Sequence, residues 1–161
     1  MGANFYPHIL TRRVYKFNVI TKKAKRMPDL KIGRSGSHDC VLFKGGSKGD
    51  YVLVTGGSAW TGGSRTESYS KTTEIYYVES GQSERVGDMK EGRNQLRLIA
   101  VESPKPTIFA FGGIGRGYRA LDTVEEWDDH SRTWKSTTLK LKRENRYPAS
   151  LGVARDMICP M

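Results

Sequence analysis

The 161-residue sequence predicts an all-β protein built from repeats, and two observations support this prediction. An apolar run that ends in two glycines occurs at Asp50–Gly57 and again at Pro106–Gly113, 56 residues later. No stretch places apolar residues at 3.6-residue spacing over two turns, as an amphipathic helix would. Recurrence of one strand pattern at a period of about 50 residues is typical of repeat architectures.

The first strands are predicted from alternating apolar and polar residues and from the turn residues between them. Pro28 places its segment at a strand edge, where a missing N–H group is tolerated. In order, we expect a strand at 13–20, a polar turn at 21–26, an edge segment at 27–30, a strand at 39–43, a glycine turn at 44–49 and a strand at 50–55.

The rest of the chain repeats this scheme after a long loop at 58–71. Two strands at 73–78 and 84–89 complete the first cycle, and a connector at 91–94 leads into the second. The second cycle has predicted strands at 96–101, 107–111, 123–128 and 134–141, with a turn at 103–106, a loop at 114–122 and a turn at 129–132.

Spaced aromatic residues fix the proposed register of the repeat. Tyr15, Tyr77 and Trp127 each stand 12 residues before an apolar residue, Met27, Met89 and Leu139, and a basic residue follows four positions later, at Lys31, Arg93 and Arg143. The unit then has four strands: an inner strand, a glycine-terminated strand, an aromatic strand and an outer strand. A four-stranded antiparallel sheet of about 50 residues, repeated radially, is a β-propeller blade.

These motifs resemble the Kelch repeat over residues 12–161. The resemblance rests on the double glycines, on an aromatic residue about twenty positions later and on a Trp seven beyond it, which is present as Trp134. It implies a partial β-propeller of four-stranded antiparallel Kelch blades whose ring is not closed, since propellers have about 4 to 8 blades. The expected division is a partial blade at 12–35, blades at 36–93 and 94–146, and the start of a further blade at 147–161.

The repeated residues have structural roles in this interpretation. Gly56, Gly57, Gly112 and Gly113 let a central strand end and turn close to its neighbours, because glycine lacks a Cβ and reaches positive φ. The aromatic side chains Tyr15, Tyr77, Trp127 and Trp134 are expected to pack between adjacent blades. None of these eight residues is a catalytic candidate.

Turns alternate between the two ends of a four-stranded meander, so the loops after the glycine-terminated strands are expected to share one end with the connectors. Long loops on a rigid scaffold favour binding, and Trp, Tyr and Arg are enriched in binding hot spots. The candidate partner-binding residues are Trp60, Arg65, Tyr69, Arg116, Tyr118 and Arg119. We expect a protein or peptide partner, with acidic groups to complement the arginines.

The Kelch resemblance implies a protein-interaction module, either a substrate-recognition part of a ubiquitin-ligase adaptor or a cytoskeletal binder. An enzymatic alternative is a galactose-oxidase-like propeller, which would need a copper site of His and Tyr ligands. The three histidines, His8, His38 and His130, have no partner at metal-ligand spacing. We therefore expect no enzyme activity and no cofactor.

Charge, cysteines and hydropathy bear on location and partners. Residues 1–35 hold nine Lys and Arg residues against one acid, out of a net charge of +10. Such a basic arm raises binding to nucleic acid or acidic surfaces as an alternative, although a solvated blade hairpin explains it equally and is our preferred interpretation. Without a long apolar run or a disulfide pattern, we expect a cytoplasmic protein that does not enter a membrane. Open blade edges also predict self-association.

Overall fold

The computed structural model describes residues 10–46, 48–58, 69–102, 106–145 and 148. This part of the chain forms ten strands and one short 3-10 turn, at Arg116–Tyr118. The strands are β1 (Val14–Asn18), β2 (Lys23–Met27), β3 (Ser35–Phe43), β4 (Tyr51–Ser58), β5 (Thr73–Tyr77), β6 (Ser83–Val86), β7 (Arg97–Val101), β8 (Thr107–Phe111), β9 (Leu121–Asp128) and β10 (Thr133–Asn145).

The strands assemble into a hairpin and two sheets, and every pairing is antiparallel. The hairpin contains β1 and β2, the first sheet β3 to β6, and the second sheet β7 to β10. In both sheets the order of strands in space is the order along the chain. The prediction of an all-β protein with four-stranded antiparallel sheets is confirmed.

The two sheets pack face to face over one apolar core. The first sheet contributes side chains such as Leu53 and Ile75, and the second contributes Ile108, Trp127 and Trp134. These five side chains are at most 1% exposed. Indole groups of this size each remove roughly 150–250 Å² from water, so the tryptophans supply much of this interface.

The hairpin lies on the opposite face of the first sheet. Leu30, in the connector after β2, packs there with Val54 of β4 and Tyr76 of β5. Val14 and Met27 of the hairpin are partly buried against the same group. The described chain is therefore stacked in three layers, with the first sheet in the middle.

The double glycines occupy backbone conformations that few other residues adopt. Gly56, Gly57, Gly112 and Gly113 all have φ between 51° and 92°. A Cβ on Gly57 would lie 3.0 Å from the Ser35 carbonyl oxygen, and one on Gly113 would lie 2.6 Å from the Asn94 carbonyl oxygen. The glycines thus allow the ends of the central strands to approach the neighbouring connectors closely.

The hairpin differs from the prediction. Residues 21–26 were predicted as a polar turn, but Lys23–Met27 is strand β2, and the turn is confined to the residues between β1 and β2. All of β2 except Met27 is exposed, so it lacks the alternation that identifies a half-buried strand. Three lysines and arginines on an exposed strand also discourage pairing with other chains.

The predicted aromatic register is wrong by one residue in the first sheet. Tyr76 pairs with Val52, as Trp127 pairs with Ile108, so Tyr76 is the equivalent of Trp127. Tyr77 points the other way and packs against the second sheet. Tyr15 was expected between blades but is 56% exposed, because the described chain places no strand over it.

Candidate functional site

Main-chain hydrogen bonds tie the two sheets together where β4 and β8 end in double glycines, an edge we call the glycine end. The Gly57 N–H donates to the Arg93 carbonyl at 2.9 Å, and the Arg93 N–H donates to the Ser70 carbonyl at 3.1 Å. Asn94 exchanges two main-chain bonds with Ile114 of the second sheet. The loop after β4, the connector at 87–96 and the loop after β8 therefore meet at this end, the arrangement expected for a meander.

A buried arginine fixes the base of the glycine end in the second sheet. The Arg93 side chain is 1% exposed and its Nε and Nη2 donate to Glu125 of β9, both at 3.2 Å. Its Nη1 donates to the carbonyls of Gly112 and Thr123 at 2.9 and 3.0 Å. The Glu125 carboxylate also accepts the Lys90 main-chain N–H at 2.7 Å. The pair holds the glycine strand, β9 and the connector in one position.

The first sheet contains the same arrangement. Arg34 donates to the Gly56 and Thr72 carbonyls, each at 3.0 Å, and lies 3.4 Å from Glu74. Glu74 accepts the Lys31 N–H at 2.7 Å. Burial lowers the pKa of Arg34 below its ordinary value, although Glu74 opposes this effect.

The sequence analysis placed Arg93 at the repeated basic position but did not predict its burial, and it missed Arg34, although a signal was present. Residues 26–34 read Arg-Met-Pro-Asp-Leu-Lys-Ile-Gly-Arg, and residues 85–93 read Arg-Val-Gly-Asp-Met-Lys-Glu-Gly-Arg, with five identities in nine positions. Aligning these segments makes Arg34, rather than Lys31, the equivalent of Arg93. The predicted basic position in the first connector is therefore wrong by three residues.

Four of the six predicted partner-binding residues lie together on the surface at the glycine end, and we call this surface the rim. The rings of Tyr69 and Tyr118 meet edge to face, with centroids 6.1 Å apart. Arg116, Tyr118 and Arg119 are exposed, and no ion pair involves either arginine within the described chain. Trp60 and Arg65 lie outside the described residues.

Backbone hydrogen bonds fix the base of the loop that carries Tyr118, and the backbone at the tip of this loop is strained. Ile114 is bridged to both Asn94 and Ala120, and the Gly115 N–H donates to the Arg119 carbonyl at 2.8 Å. Tyr118 itself has a φ of 60°, which is uncommon for an aromatic residue and costs about 1–3 kcal/mol. Its side chain remains 53% exposed, so packing does not repay this cost.

The opposite end of the sheets carries short turns and a structural polar network. The Trp127 indole N–H donates to the Tyr51 hydroxyl at 3.0 Å, and that hydroxyl donates to Asp129 at 2.7 Å. Burial, together with the bond to Asp129, raises the pKa of Tyr51 well above its ordinary value. These contacts join the first sheet to the β9–β10 turn.

A second tie at the same end joins Arg132 to the outer strands of the first sheet. Arg132 donates to Glu84 at 2.8 Å and to the Tyr77 hydroxyl, and the hydroxyl donates to Glu84 at 3.1 Å. The hydrogen bond from Arg132 lowers the pKa of Glu84. Tyr77 thus links sheets through its hydroxyl as well as its ring.

No group of His, Cys, Asp and Glu side chains in the described chain is arranged to hold a metal ion. His38 and Cys40 line a cleft between the hairpin and the first sheet. Asp39 faces away from this cleft, and its carboxylate accepts the Leu98 N–H at 2.8 Å. The described residues also include no helix with the length and apolar character of a membrane span.

Comparison with protein-family models and with curated proteins found no match to this chain.

Proposed function

We propose that the chain is an arc of a Kelch-type β-propeller and acts as a protein-interaction module whose partner binds at the rim. Two stacked four-stranded meanders in chain order, joined by equivalent connectors, are the units from which a propeller is built. The double glycines and the contact between Trp127 and Trp134 support the proposal, since they resemble the Kelch motif in type and spacing.

The observation that carries the binding proposal is the strained, exposed Tyr118 beside two arginines. Unfavourable backbone conformations persist where the surrounding structure imposes them, and they concentrate at functional sites. Tyr118 contacts Tyr69 from the other loop, so the two loops present one aromatic surface. Rigid aromatic side chains give a large contact area at low entropic cost.

The charge of the rim points to an acidic peptide segment as the ligand. Arg116 and Arg119 are exposed on either side of Tyr118, and a guanidinium pairs with a carboxylate through two parallel hydrogen bonds. A ubiquitin-ligase adaptor or a cytoskeletal binder would use such a surface to recognise a segment of another protein. The whole surface is formed by loops and therefore tolerates sequence change without loss of the sheets.

Binding of fluorescent peptides rich in Asp and Glu, compared with their Asn and Gln counterparts, tests this proposal. Replacing Arg116 and Arg119 together with alanine should weaken binding of the acidic peptides by at least about 1 kcal/mol. The matched control replaces Lys44 and Lys48 at the opposite end, which removes the same two charges. Equal loss in both variants would mean that net charge, and not the rim, attracts the peptide.

Tyr118→Gly separates function from stability at the same position. Glycine removes the aromatic contact but relieves the positive-φ strain, so binding should fall while thermal stability stays the same or rises. A variant that lost stability as well would show that Tyr118 serves the fold. Retained binding would remove Tyr118 from the site.

A further inference from the structure

The hairpin is the outer half of a four-stranded unit. In both sheets, the third and fourth strands (β5–β6 and β9–β10) pair through their inner edge with two further strands. The hairpin β1–β2 precedes the connector 26–34, just as β5–β6 precedes the equivalent connector 85–93. In the described chain, however, β1 pairs with β2 alone, so its inner edge is open.

Beside this open edge lies an apolar cleft of about 400 Å³ between the hairpin and the first sheet. Its lining includes Cys40 of β3, Val52 and Val54 of β4, and Tyr76 of β5. Strand pairing makes these the equivalents of Leu98, Ile108, Ala110 and Trp127 in the second sheet. Leu98 and Ile108 are at most 6% exposed, because the first sheet covers them, whereas their equivalents Cys40 and Val52 are exposed and half-buried. Val54 and Tyr76, nearer the hairpin, are each 6% exposed and thus buried like their equivalents.

The second sheet shows what kind of segment fits the cleft. Its covered face packs against Phe43, Tyr51 and Leu53, which come from the inner strand and the glycine-terminated strand of the preceding unit. Leu42 pairs with Val52 of the cleft lining and is 45% exposed, whereas its equivalent Ala100 is partly buried against the core. The cleft therefore lacks a pair of apolar inner strands.

Such a pair is encoded in this chain. Residues 151–154 read Leu-Gly-Val-Ala, and residues 156–159 read Asp-Met-Ile-Cys, which align with the inner strand and with Asp50-Tyr-Val-Leu53 of the first sheet. These residues follow β10 of the second sheet. The cleft lies on the face of the first sheet that is turned away from the second sheet, so the first sheet separates the cleft from β10.

We propose that residues 151–161 of a second copy of this chain fill the cleft and pair with the open edge of β1. The arrangement is reciprocal, with each chain lending its inner strands to the hairpin of the other. This assembly is independent of the partner that binds the rim.

The two cysteines of the sequence report on this contact. Cys40 is exposed and lines the cleft. The repeat alignment places Cys159 at the position of Leu53, which packs in the same core as Leu98, the equivalent of Cys40. A Cys159 from the second copy should therefore lie close to Cys40.

The experiment combines light scattering of the full chain with cross-linking by a short bifunctional maleimide. The expected results are a concentration-dependent dimer and a covalent dimer whose peptide map joins Cys40 to Cys159. Cys40→Ser and Cys159→Ser should each abolish the cross-link. A cross-link within one chain, a link between two copies of Cys40 or a monomer at all concentrations would each overturn the proposal.

Substitutions of two exposed leucines, Leu42 and Leu139, provide a matched comparison. Leu42→Lys places a charge beside the cleft and should raise the dimer dissociation constant at least tenfold. Leu139→Lys, on β10 with 54% exposure, should leave it unchanged. Both side chains are exposed, so neither change should prevent folding. Equal effects of the two changes, or no effect of Leu42→Lys, would contradict the proposed site.

Discussion

The first sheet packs against the second sheet on one face and against the β1–β2 hairpin on the other, and equivalent residues at the two contacts differ in burial. Ile108 of the second sheet is fully buried by the first sheet, whereas its equivalent Val52 is only half-buried beneath the hairpin. The equivalents Trp127 and Tyr76 are both buried, at 1% and 6% exposure, so the two contacts differ in only part of the sheet face. The comparison shows that two outer strands bury only part of the face of a neighbouring sheet. Burial of the rest of that face requires the two inner strands as well.

The largest effect expected is from removing the indole at the complete contact. Trp127→Ala should destabilise the protein by about 3–5 kcal/mol, because it opens a cavity and leaves the Tyr51 hydroxyl without its donor. Tyr15→Ala should cost no more than about 1 kcal/mol, since that ring is 56% exposed and the Arg26 guanidinium lies over it at 5.9 Å. Urea unfolding of both variants measures the difference. Similar costs would mean that the hairpin contact is as well packed as the contact between sheets.

Substitution of the buried arginines tests whether Arg93 and Arg34 stabilise their two sheets equally. Arg93→Met should cost about 3–5 kcal/mol, because it leaves Glu125 buried without its cation. Arg34→Met should cost less, because Arg34 makes fewer bonds to Glu74 and its Nε has no partner in the described chain. Thermal unfolding compares them. A larger loss for Arg34→Met would reverse this ranking of the two sheets.

Close approach at the double glycine should give an intermediate effect. Gly113→Ala, at a φ of 92°, adds a Cβ 2.6 Å from the Asn94 carbonyl oxygen, whereas Gly45→Ala, also at positive φ (69°), adds a Cβ with no atom within 4 Å. We expect about 1 kcal/mol for Gly45→Ala and clearly more for Gly113→Ala. Urea midpoints of the pair isolate the steric part. Equal midpoints would mean that positive φ alone explains the glycine.

The smallest effect concerns pH and the tie between Arg132 and Glu84. Because the folded-state pKa of Glu84 is lowered from 4.5, its contribution is complete above that value and is lost as pH falls through the folded-state pKa. Its side chain is 41% exposed, so the contribution should stay below about 1 kcal/mol. Glu84→Gln should therefore be slightly less stable than the wild type at neutral pH, with the gap closing in acid. Glu79→Gln, in the neighbouring exposed turn, is the control, and an unchanged gap in acid would contradict the assignment.

Sequence patterns identified the strands and side chains that are buried in the core between the two sheets. The strands that end in double glycines and the buried Trp127 and Trp134 were visible because a two-sided core demands apolar residues at fixed spacing. Strand β2 was missed because nearly all of it is exposed. Arg34 was missed because a buried charge leaves no apolar pattern, although the repeated nonapeptide marks its position.

The candidate site was only partly accessible from the sequence. That the loops at the glycine end lie together follows from strand alternation in a meander. The contact between Tyr69 and Tyr118 joins loops of two different sheets, and it depends on how the sheets stack. The positive φ of Tyr118 likewise depends on how the base of its loop is fixed, and the amino-acid composition does not reveal it.

The difference between the two contacts is tested most directly by thiol labelling of Val52→Cys and Ile108→Cys in chains that lack Cys40 and Cys159. Ile108→Cys should react slowly at every protein concentration, because the first sheet covers it. Val52→Cys should react quickly in dilute protein and more slowly as concentration rises and the cleft is filled by a second copy. Equal rates at the two positions, independent of concentration, would contradict the account.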